Sequence, residues 1–208
     1  GVTAFVILLF IKAMDWWWDW MPRWLFFLVL GGMALAVMVV QFLLSLVLYA
    51  NFDPAVPGLQ AATRVPWIPA WGVNYIIGLD GYNILLVLLT AVLGLAALLF
   101  SLSRWHRAGA HFQPLFQFLL MGLNGAFLTG DLFNLFGFFE VLLAASYGLL
   151  LHGDGRGRRA RLKASVHYVV FSLVGSALFL VGLALLYAST GSLNMADVAQ
   201  RLSTLPPA

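Results

Sequence analysis

One acidic residue, Glu140, lies near the middle of an apolar stretch that covers residues 132–151. This stretch is long enough to cross a membrane, because about 20 apolar residues in a helix span the hydrocarbon core. Glu140 is about nine residues from either end, which places it roughly 14 Å from each boundary. A carboxylate at that depth costs about 3 kcal/mol on insertion scales, and such residues usually face a bundle interior or a water path. Glu140 is therefore the first candidate for chemistry.

Two roles are open for Glu140. Burial strengthens the hold of a carboxyl group on its proton, whereas a nearby cation weakens it. A carboxyl group balanced between these effects gains and loses a proton as its neighbours move, which is the property that an intramembrane proton relay needs. The alternative is a permanently protonated glutamate that hydrogen-bonds to another helix. Ser, Thr or Asn would serve that purpose at lower cost, so the relay is favoured.

Three further residues are candidates for lining a proton path. Asn124 lies between two glycines in the preceding apolar stretch, where it either reaches Glu140 or a water molecule or makes an ordinary interhelical hydrogen bond. His167 is either a proton uptake group, since imidazole ionises near physiological pH, or an interfacial packing residue. Lys163, one turn before His167, either pairs with a lipid headgroup or feeds the same path.

Small and hydroxylated residues accompany these candidates. Gly137 and Ala144 lie at helical spacing from Glu140, and small residues allow another helix to approach closely. Ser172 and Ser176 are one turn apart on the last predicted helix. They either continue a polar track or pack against a neighbouring helix.

The composition identifies the class of protein. Of 208 residues, 62% are hydrophobic and only 9% are charged, against about 25% charged residues in soluble domains, so the chain is predicted to be an integral membrane protein. The net charge of +3 comes from basic residues in predicted loops, so no nucleic-acid partner is indicated. No cysteine is present, and the four histidines are dispersed. Without a metal cluster, a phosphate-binding glycine loop or a catalytic triad pattern, we expect neither a cofactor nor enzymatic activity.

The apolar stretches predict an all-α, polytopic transmembrane helix bundle of about six spans, which forms a single domain over residues 1–208. The predicted spans cover residues 2–14 (partial), 24–50, 82–101, 112–128, 132–151 and 165–188. The chain begins with glycine and not methionine, and we expect its start to be trimmed.

The connections between the spans carry cap and turn signals. Residues 51–79 contain four prolines and are predicted to be a connection that does not cross the membrane. Asp80 and Asp131 are predicted to cap the helices that follow them. The polar tail from residue 189 contains a predicted short amphipathic helix, whose apolar positions are Met195, Val198 and Leu202.

The distribution of the basic residues predicts the orientation. Alternating spans place nine of the eleven basic residues on one face and only Arg64 and Arg201 on the other. Loops with more Lys and Arg stay on the cytoplasmic side. The loops at residues 15–23, 102–111 and 152–164 are therefore predicted to be cytoplasmic, in a multi-pass protein of the bacterial inner membrane, and both ends of the chain are predicted to lie outside.

Several segments resemble a known family. Residues 123–136 and 138–147, with the sequences LNGAFLTGDLFNLF and FFEVLLAASY, closely resemble the D subunit of Mrp-type multisubunit cation/proton antiporters. The likeness continues through the segments HYVV, GSALFL and TGSLNMAD between residues 167 and 197. The upstream segments PWIP and GLDGY resemble instead the homologous M subunit of proton-pumping NADH:quinone oxidoreductase.

The resemblance implies the N-terminal part of a longer antiporter-like fold with two inverted repeats. In that family a glutamate on the fifth helix pairs with a lysine on the seventh, and Glu140 matches the glutamate. The lysine is expected beyond the last residue of this sequence. The implied partners are other membrane subunits, with protons and Na⁺ as cargo. Two alternatives remain: a proton-pumping subunit of a quinone oxidoreductase complex, and a non-transporting scaffold subunit.

Overall fold

The computed structural model describes residues 23–56, 58–103, 112–151 and 158–203. This part of the chain is mainly helical, which confirms the predicted fold class, and it also contains one β-hairpin. The elements are α1 (Arg23–Ala50), β1 (Gln60–Ile68), β2 (Val73–Leu79), α2 (Asn83–Ser103), α3 (Phe112–Leu128), α4 (Leu132–Leu151), α5 (Arg158–Thr190) and α6 (Met195–Ser203). The predicted partial span at residues 2–14 and most of the three predicted cytoplasmic loops lie outside the described residues.

Four of these helices are long and apolar enough to cross a membrane, and α3 is a shorter apolar helix. The spanning segments are Gly31–Ala50, Asn83–Ser101, Leu132–Leu151 and Arg159–Thr190. A multi-pass membrane protein is therefore confirmed.

Helix α5 is longer than the sequence pattern predicts. It begins at Arg158, so residues 158–164 are helical and not part of a loop. The prediction took its boundary from hydrophobicity alone. Residues 158–164 consist of Arg, Ala, Leu and Lys, all of them strong helix formers, so the helix continues beyond its apolar part.

Within the predicted connection at residues 51–79, β1 and β2 form an antiparallel hairpin. The sequence analysis did not predict these strands, because the segment is rich in proline. Pro66 of β1 pairs with Asn74 of β2, and β1 is exposed along nearly its whole length. Proline is tolerated on such an edge strand because its missing N–H faces away from the partner strand. A short 3₁₀ turn at Pro69–Trp71 ends at Gly72, whose φ of 66° favours glycine. The buried side chains of β2 include Val73, Ile76 and Leu79.

The buried apolar side chains form two separate clusters. One joins the helices α1, α2 and α3 through Ala34, Met38, Leu98 and Leu120. The other lies where β2 meets α5 and the segment before α6, and it consists of Val73, Leu183 and Leu193. Partly buried aromatic side chains surround the second cluster, among them Phe133, Phe179 and Tyr187.

The turn between α3 and α4 joins three parts of the chain through backbone hydrogen bonds. The Gly130 amide donates to the Ile76 carbonyl of β2 at 3.0 Å, and the Leu132 amide donates to the Leu193 carbonyl at 2.9 Å. The Met195 amide donates in turn to the Gly130 carbonyl at 2.9 Å. We call Ile76, residues 129–132 and residues 193–195 the turn junction. It fixes the start of α4 against both the hairpin and α6.

Helices α3 and α4 pack closely because α3 carries glycines at the contact. A Cβ atom on Gly122 would lie 2.9 Å from the backbone nitrogen of Leu142, and one on Gly125 would overlap the ring of Phe138. The predicted close approach concerned Gly137 and Ala144 of α4, whereas the close contact falls on Gly122 and Gly125 of α3. By contrast, a Cβ atom on Gly137 would meet nothing within 4 Å.

The substitution Gly122→Ala should lower the stability of the helix bundle by about 1–3 kcal/mol, because the new methyl group meets backbone atoms that cannot rotate away. Gly137→Ala is the matched control on the facing helix, and it should change stability by no more than about 1 kcal/mol. Reversible unfolding in mixed detergent micelles measures both. Equal stability of the two variants would contradict the close contact at Gly122.

Candidate functional site

Glu140 lies in the middle of α4 and is half-buried. Its Oε1 atom is buried and has no hydrogen-bond partner among the described residues. Helix α3 packs against the α4 face that carries Phe138 and Leu142. Glu140 follows Phe138 by two residues, so it lies about 200° around the helix axis from Phe138. The carboxyl group therefore points away from α3 and towards α5.

A cavity of about 260 Å³ lies between α4 and α5 at Glu140. Ser172, Gly175 and Ser176 of α5 line it together with the carboxyl group. We call this space the Glu140 cavity. It brings Glu140 together with both serines of the predicted polar track. The remaining lining residues are Phe136, Phe139, Leu142, Leu143 and Phe179.

Aromatic contacts close one end of the Glu140 cavity. The rings of Phe136 and Phe179 are stacked with centroids 6.1 Å apart, and Phe139 meets Phe179 edge-on at the same distance. Aromatic pairs in such geometries stabilise the contact beyond the area that they bury. Phe179 therefore holds α5 against α4 about one helical turn from Ser176.

A pair of hydroxyl groups joins the two helices beyond the other end of the cavity. The Ser146 hydroxyl donates to the Leu143 carbonyl at 2.7 Å, so Tyr168 is the donor in the 3.0 Å contact between the hydroxyls of Tyr168 and Ser146. The Tyr168 ring also meets the Tyr147 ring edge-on, with centroids 5.2 Å apart. The sequence did not point to this pair, because serine and tyrosine near the end of an apolar stretch are common interfacial residues.

Asn124 is not brought together with Glu140. It lines a different, larger cavity of about 720 Å³, which α1, α2 and α3 border. Its Nδ2 atom donates to the Leu120 carbonyl one turn earlier at 3.0 Å. Its buried Oδ1 atom has no hydrogen-bond partner among the described residues. The role of Asn124 in a proton path stays a prediction.

His167 and Lys163 lie near the basic end of α5, and both side chains are exposed. The Nδ1 atom of His167 donates to the Lys163 carbonyl at 2.7 Å. The contact between Tyr168 and Ser146 sets α5 against α4, so Lys163 lies near the level at which α4 ends. By helical rise, about 17 Å separate the levels of Lys163 and Glu140. Neither side chain contacts Glu140, and their predicted roles in proton uptake remain predictions.

Asp131 caps α4 as predicted. Its Oδ1 atom accepts hydrogen bonds from the amides of Phe133 at 2.9 Å and Asn134 at 3.3 Å. Its side chain is 1% exposed. Burial raises the pKa of the Asp131 carboxyl group, although the backbone amides and the charge of Arg64 act in the opposite direction. The cap pattern alone did not indicate this burial.

Chemically, the Glu140 cavity offers one carboxyl group and two hydroxyl groups in an apolar wall. No lysine or arginine among the described residues forms an ion pair with Glu140. The open space at Gly137, beside Glu140 on α4, would admit a further side chain. The arrangement can bind and release a proton, and it can accept a cationic partner from outside the described residues.

Residues 129–205 match the protein family described as "NADH:quinone oxidoreductase/Mrp antiporter, TM". The match includes α4 with Glu140 and the whole of α5. The resemblance predicted from the sequence is thereby confirmed.

Two curated relatives are similar over most of the chain. The D subunit of a probable K(+)/H(+) antiporter from Rhizobium meliloti (strain 1021) is 48% identical over 180 residues, which cover 85% of this chain and 32% of that protein. The D subunit of a Na(+)/H(+) antiporter from Bacillus subtilis (strain 168) is 43% identical over 148 residues, which cover 70% of this chain and 29% of that protein. The chain therefore spans about a third of the length of these relatives.

A solved structure of the Mrp complex from Dietzia sp. DQ12-45-1b contains a chain with the same fold. The TM-score is 0.70 at 29% sequence identity, and the match covers 85% of this chain and 34% of that chain. Both the sequence and the structural likeness thus lead to subunits of multisubunit membrane complexes.

The substitution Gly175→Leu should fill the Glu140 cavity, because a side chain at Gly175 meets open space there. Dicyclohexylcarbodiimide is an apolar reagent that modifies carboxyl groups within membranes, and we expect it to modify Glu140 several-fold more slowly in this variant. Gly182→Leu is the matched control, two turns along α5, where a Cβ atom also meets open space. Mass spectrometry of the modified peptide measures both rates. Unchanged modification in Gly175→Leu would show that the cavity does not give access to Glu140.

Proposed function

We propose that this chain, which is homologous to the membrane subunits of the NADH:quinone oxidoreductase and Mrp antiporter family, is part of a proton-translocating subunit of a multisubunit monovalent cation/proton antiporter. In this proposal Glu140 takes up and releases a proton inside the membrane. The chain has no enzymatic activity of its own and works with other membrane subunits in the lipid bilayer. Protons are one cargo, and a monovalent cation such as Na⁺ is the other.

One observation carries this proposal: Glu140 has a buried oxygen without a described hydrogen-bond partner and lines a cavity inside the membrane. A glutamate that only locked helices together would have its oxygens satisfied, because an unpaired buried acceptor is costly. Here Oε1 remains available for a proton donor, a water molecule or a cation. The similarity to the D subunits of antiporters supports cation/proton exchange as the function that this cavity serves.

Glu140→Gln should lower cation-driven proton flux by at least roughly tenfold in the complete assembled complex, because the amide cannot exchange a proton. Glu140→Asp should retain part of the flux. Asp80→Asn is the matched control: it makes the same change from carboxyl to amide at a helix cap outside the cavity. Fluorescent pH dyes in inverted membrane vesicles report the flux.

The same experiment tests the scaffold alternative. If Glu140 only locks helices together, Glu140→Gln should lower assembly of the complex while the flux per assembled complex stays unchanged. Flux normalised to assembled complex therefore separates the two roles. The family description also names NADH:quinone oxidoreductase, so a subunit of such a complex is the second alternative. Genes for redox subunits next to the gene of this chain would favour that alternative over an antiporter.

We propose that the basic segments at residues 15–23, 102–111 and 152–164 lie in the cytoplasm of a bacterial cell, because segments rich in Lys and Arg stay on that side of the membrane. These 208 residues contain no cysteine, so a single cysteine introduced among them reports its own position. Cysteine at Ala160, an exposed residue of α5, should react with a membrane-impermeant thiol reagent only in inverted vesicles. Cysteine at Ala55, exposed before the hairpin, should react only in right-side-out vesicles. The reverse pattern would overturn the orientation.

A further inference from the structure

Two helices of this chain begin with the same pattern, an aspartate followed three residues later by an asparagine. At the start of α2, Asp80 and Asn83 satisfy each other. Asp80 Oδ1 accepts from the Asn83 amide at 2.6 Å, and Asn83 Oδ1 accepts from the Asp80 amide at 2.8 Å. The Asn83 Nδ2 atom donates to the Gly78 carbonyl at 3.0 Å. This is a reciprocal cap that satisfies both side chains.

At the start of α4 the same pattern is only half satisfied. Asp131 Oδ1 accepts from the Asn134 amide, but the Asp131 amide donates to the Thr129 hydroxyl at 3.3 Å and not to Asn134. Asn134 Nδ2 donates to the Asn74 carbonyl of β2 at 3.0 Å. Asn134 Oδ1 and Asp131 Oδ2 are thus both left without a hydrogen-bond partner among the described residues.

Water does not reach these two oxygens readily, because Asp131 is 1% exposed and Asn134 is 2% exposed. Two neighbouring acceptors cannot satisfy each other, since each needs a donor. A carboxyl group that carries a proton becomes a donor. Asp131 is the N-cap of α4 and Asn134 is the third residue of that helix. Side chains at these two positions lie side by side in a capping box, which brings a proton on Asp131 close to the Asn134 side chain.

We propose that Asp131 is a second proton-binding site, in which Oδ2 carries a proton and donates it to Oδ1 of Asn134. The site lies nine residues from Glu140 on the same helix, at the end of α4 opposite the basic residues of α5. By helical rise, the two carboxyl groups are about 14 Å apart along the axis. The proposal does not require Glu140 to be a relay.

The groups around Asp131 act on its carboxyl group in opposite directions. Burial favours the protonated form as the largest effect, whereas the backbone amides of Asn134, Phe133 and Asn74 and, least of all, the charge of Arg64 favour the ionised carboxylate. Strand β2 and helix α3 contain no charged residue. The charged residues of α6 are engaged elsewhere: Asp197 with Ser192, and Arg201 with the Thr190 carbonyl. The balance therefore rests on burial against the backbone amides, and Arg64 has the smallest effect.

Infrared spectroscopy of the full membrane-embedded protein with ¹³C-labelled aspartate tests the proposal. We expect a protonated-carboxyl C=O band that persists above the ordinary aspartate pKa, disappears in Asp131→Asn and remains in Asp80→Asn. The absence of such a band above that pKa, or a band that survives in Asp131→Asn, would overturn the proposal.

Asn134→Leu tests the hydrogen bond itself and needs no change at Asp131. Removal of the acceptor should shift the Asp131 band to higher frequency, as for a carboxyl group without a hydrogen bond. An unshifted band would show that the proton is not donated to Asn134.

The pH dependence of thermal stability gives an independent measurement. Because the pKa of Asp131 is raised on folding, its stabilising contribution is complete below the ordinary aspartate pKa and is lost as the pH rises through the folded value. Asp131→Asn keeps the cap and has no proton to lose. Its melting temperature should exceed that of the wild type increasingly as the pH rises. A wild type that gains stability over Asp131→Asn with rising pH would contradict the proposal.

Discussion

Backbone hydrogen bonds at the turn junction hold the membrane part of this chain in register. Inside a bilayer each unsatisfied backbone group costs several kcal/mol, so chain reversals must find partners. Here the Gly130 amide donates to β2, and the Gly130 carbonyl accepts from the Met195 amide. The Leu132 amide donates to the Leu193 carbonyl. The start of α4 is fixed by these bonds, and the position of Glu140 follows from where α4 starts.

Hydrophobicity and cap signals predicted the helices well, because both are local. They failed where long-range strand pairing or helix propensity determines the secondary structure. The hairpin depends on pairing between residues that surround a proline-rich turn, and the start of α5 depends on basic residues that favour a helix although they are polar. The approach of α3 to α4 was not predicted, because in the sequence Gly122 and Gly125 look no different from Gly137, at which a Cβ atom would meet nothing.

The sequence predicted the central residue of the candidate site, Glu140, but only some of the residues that surround it. Glu140 is conspicuous in the sequence because no other acidic residue lies so deep in an apolar stretch. Which residues face it depends on helix rotation, which the sequence does not reveal. The structure turns Glu140 towards Ser172 and Ser176 and leaves Asn124 in another cavity. The identical patterns at Asp80 and Asp131 also differ in their hydrogen bonds. The Asp131 amide donates to the Thr129 hydroxyl, whereas the Asp80 amide donates to Oδ1 of Asn83.

Helix α5 rests on α4 at two supports, the Phe136–Phe179 stack and the Tyr168–Ser146 hydroxyl pair. Tyr168 and Phe179 are eleven residues apart on α5, which is about 17 Å of helix. The Glu140 cavity lies between these two supports. Its volume of about 260 Å³ has room for one long side chain or for a few water molecules. A group that enters the cavity to reach Glu140 is therefore no larger than a single side chain.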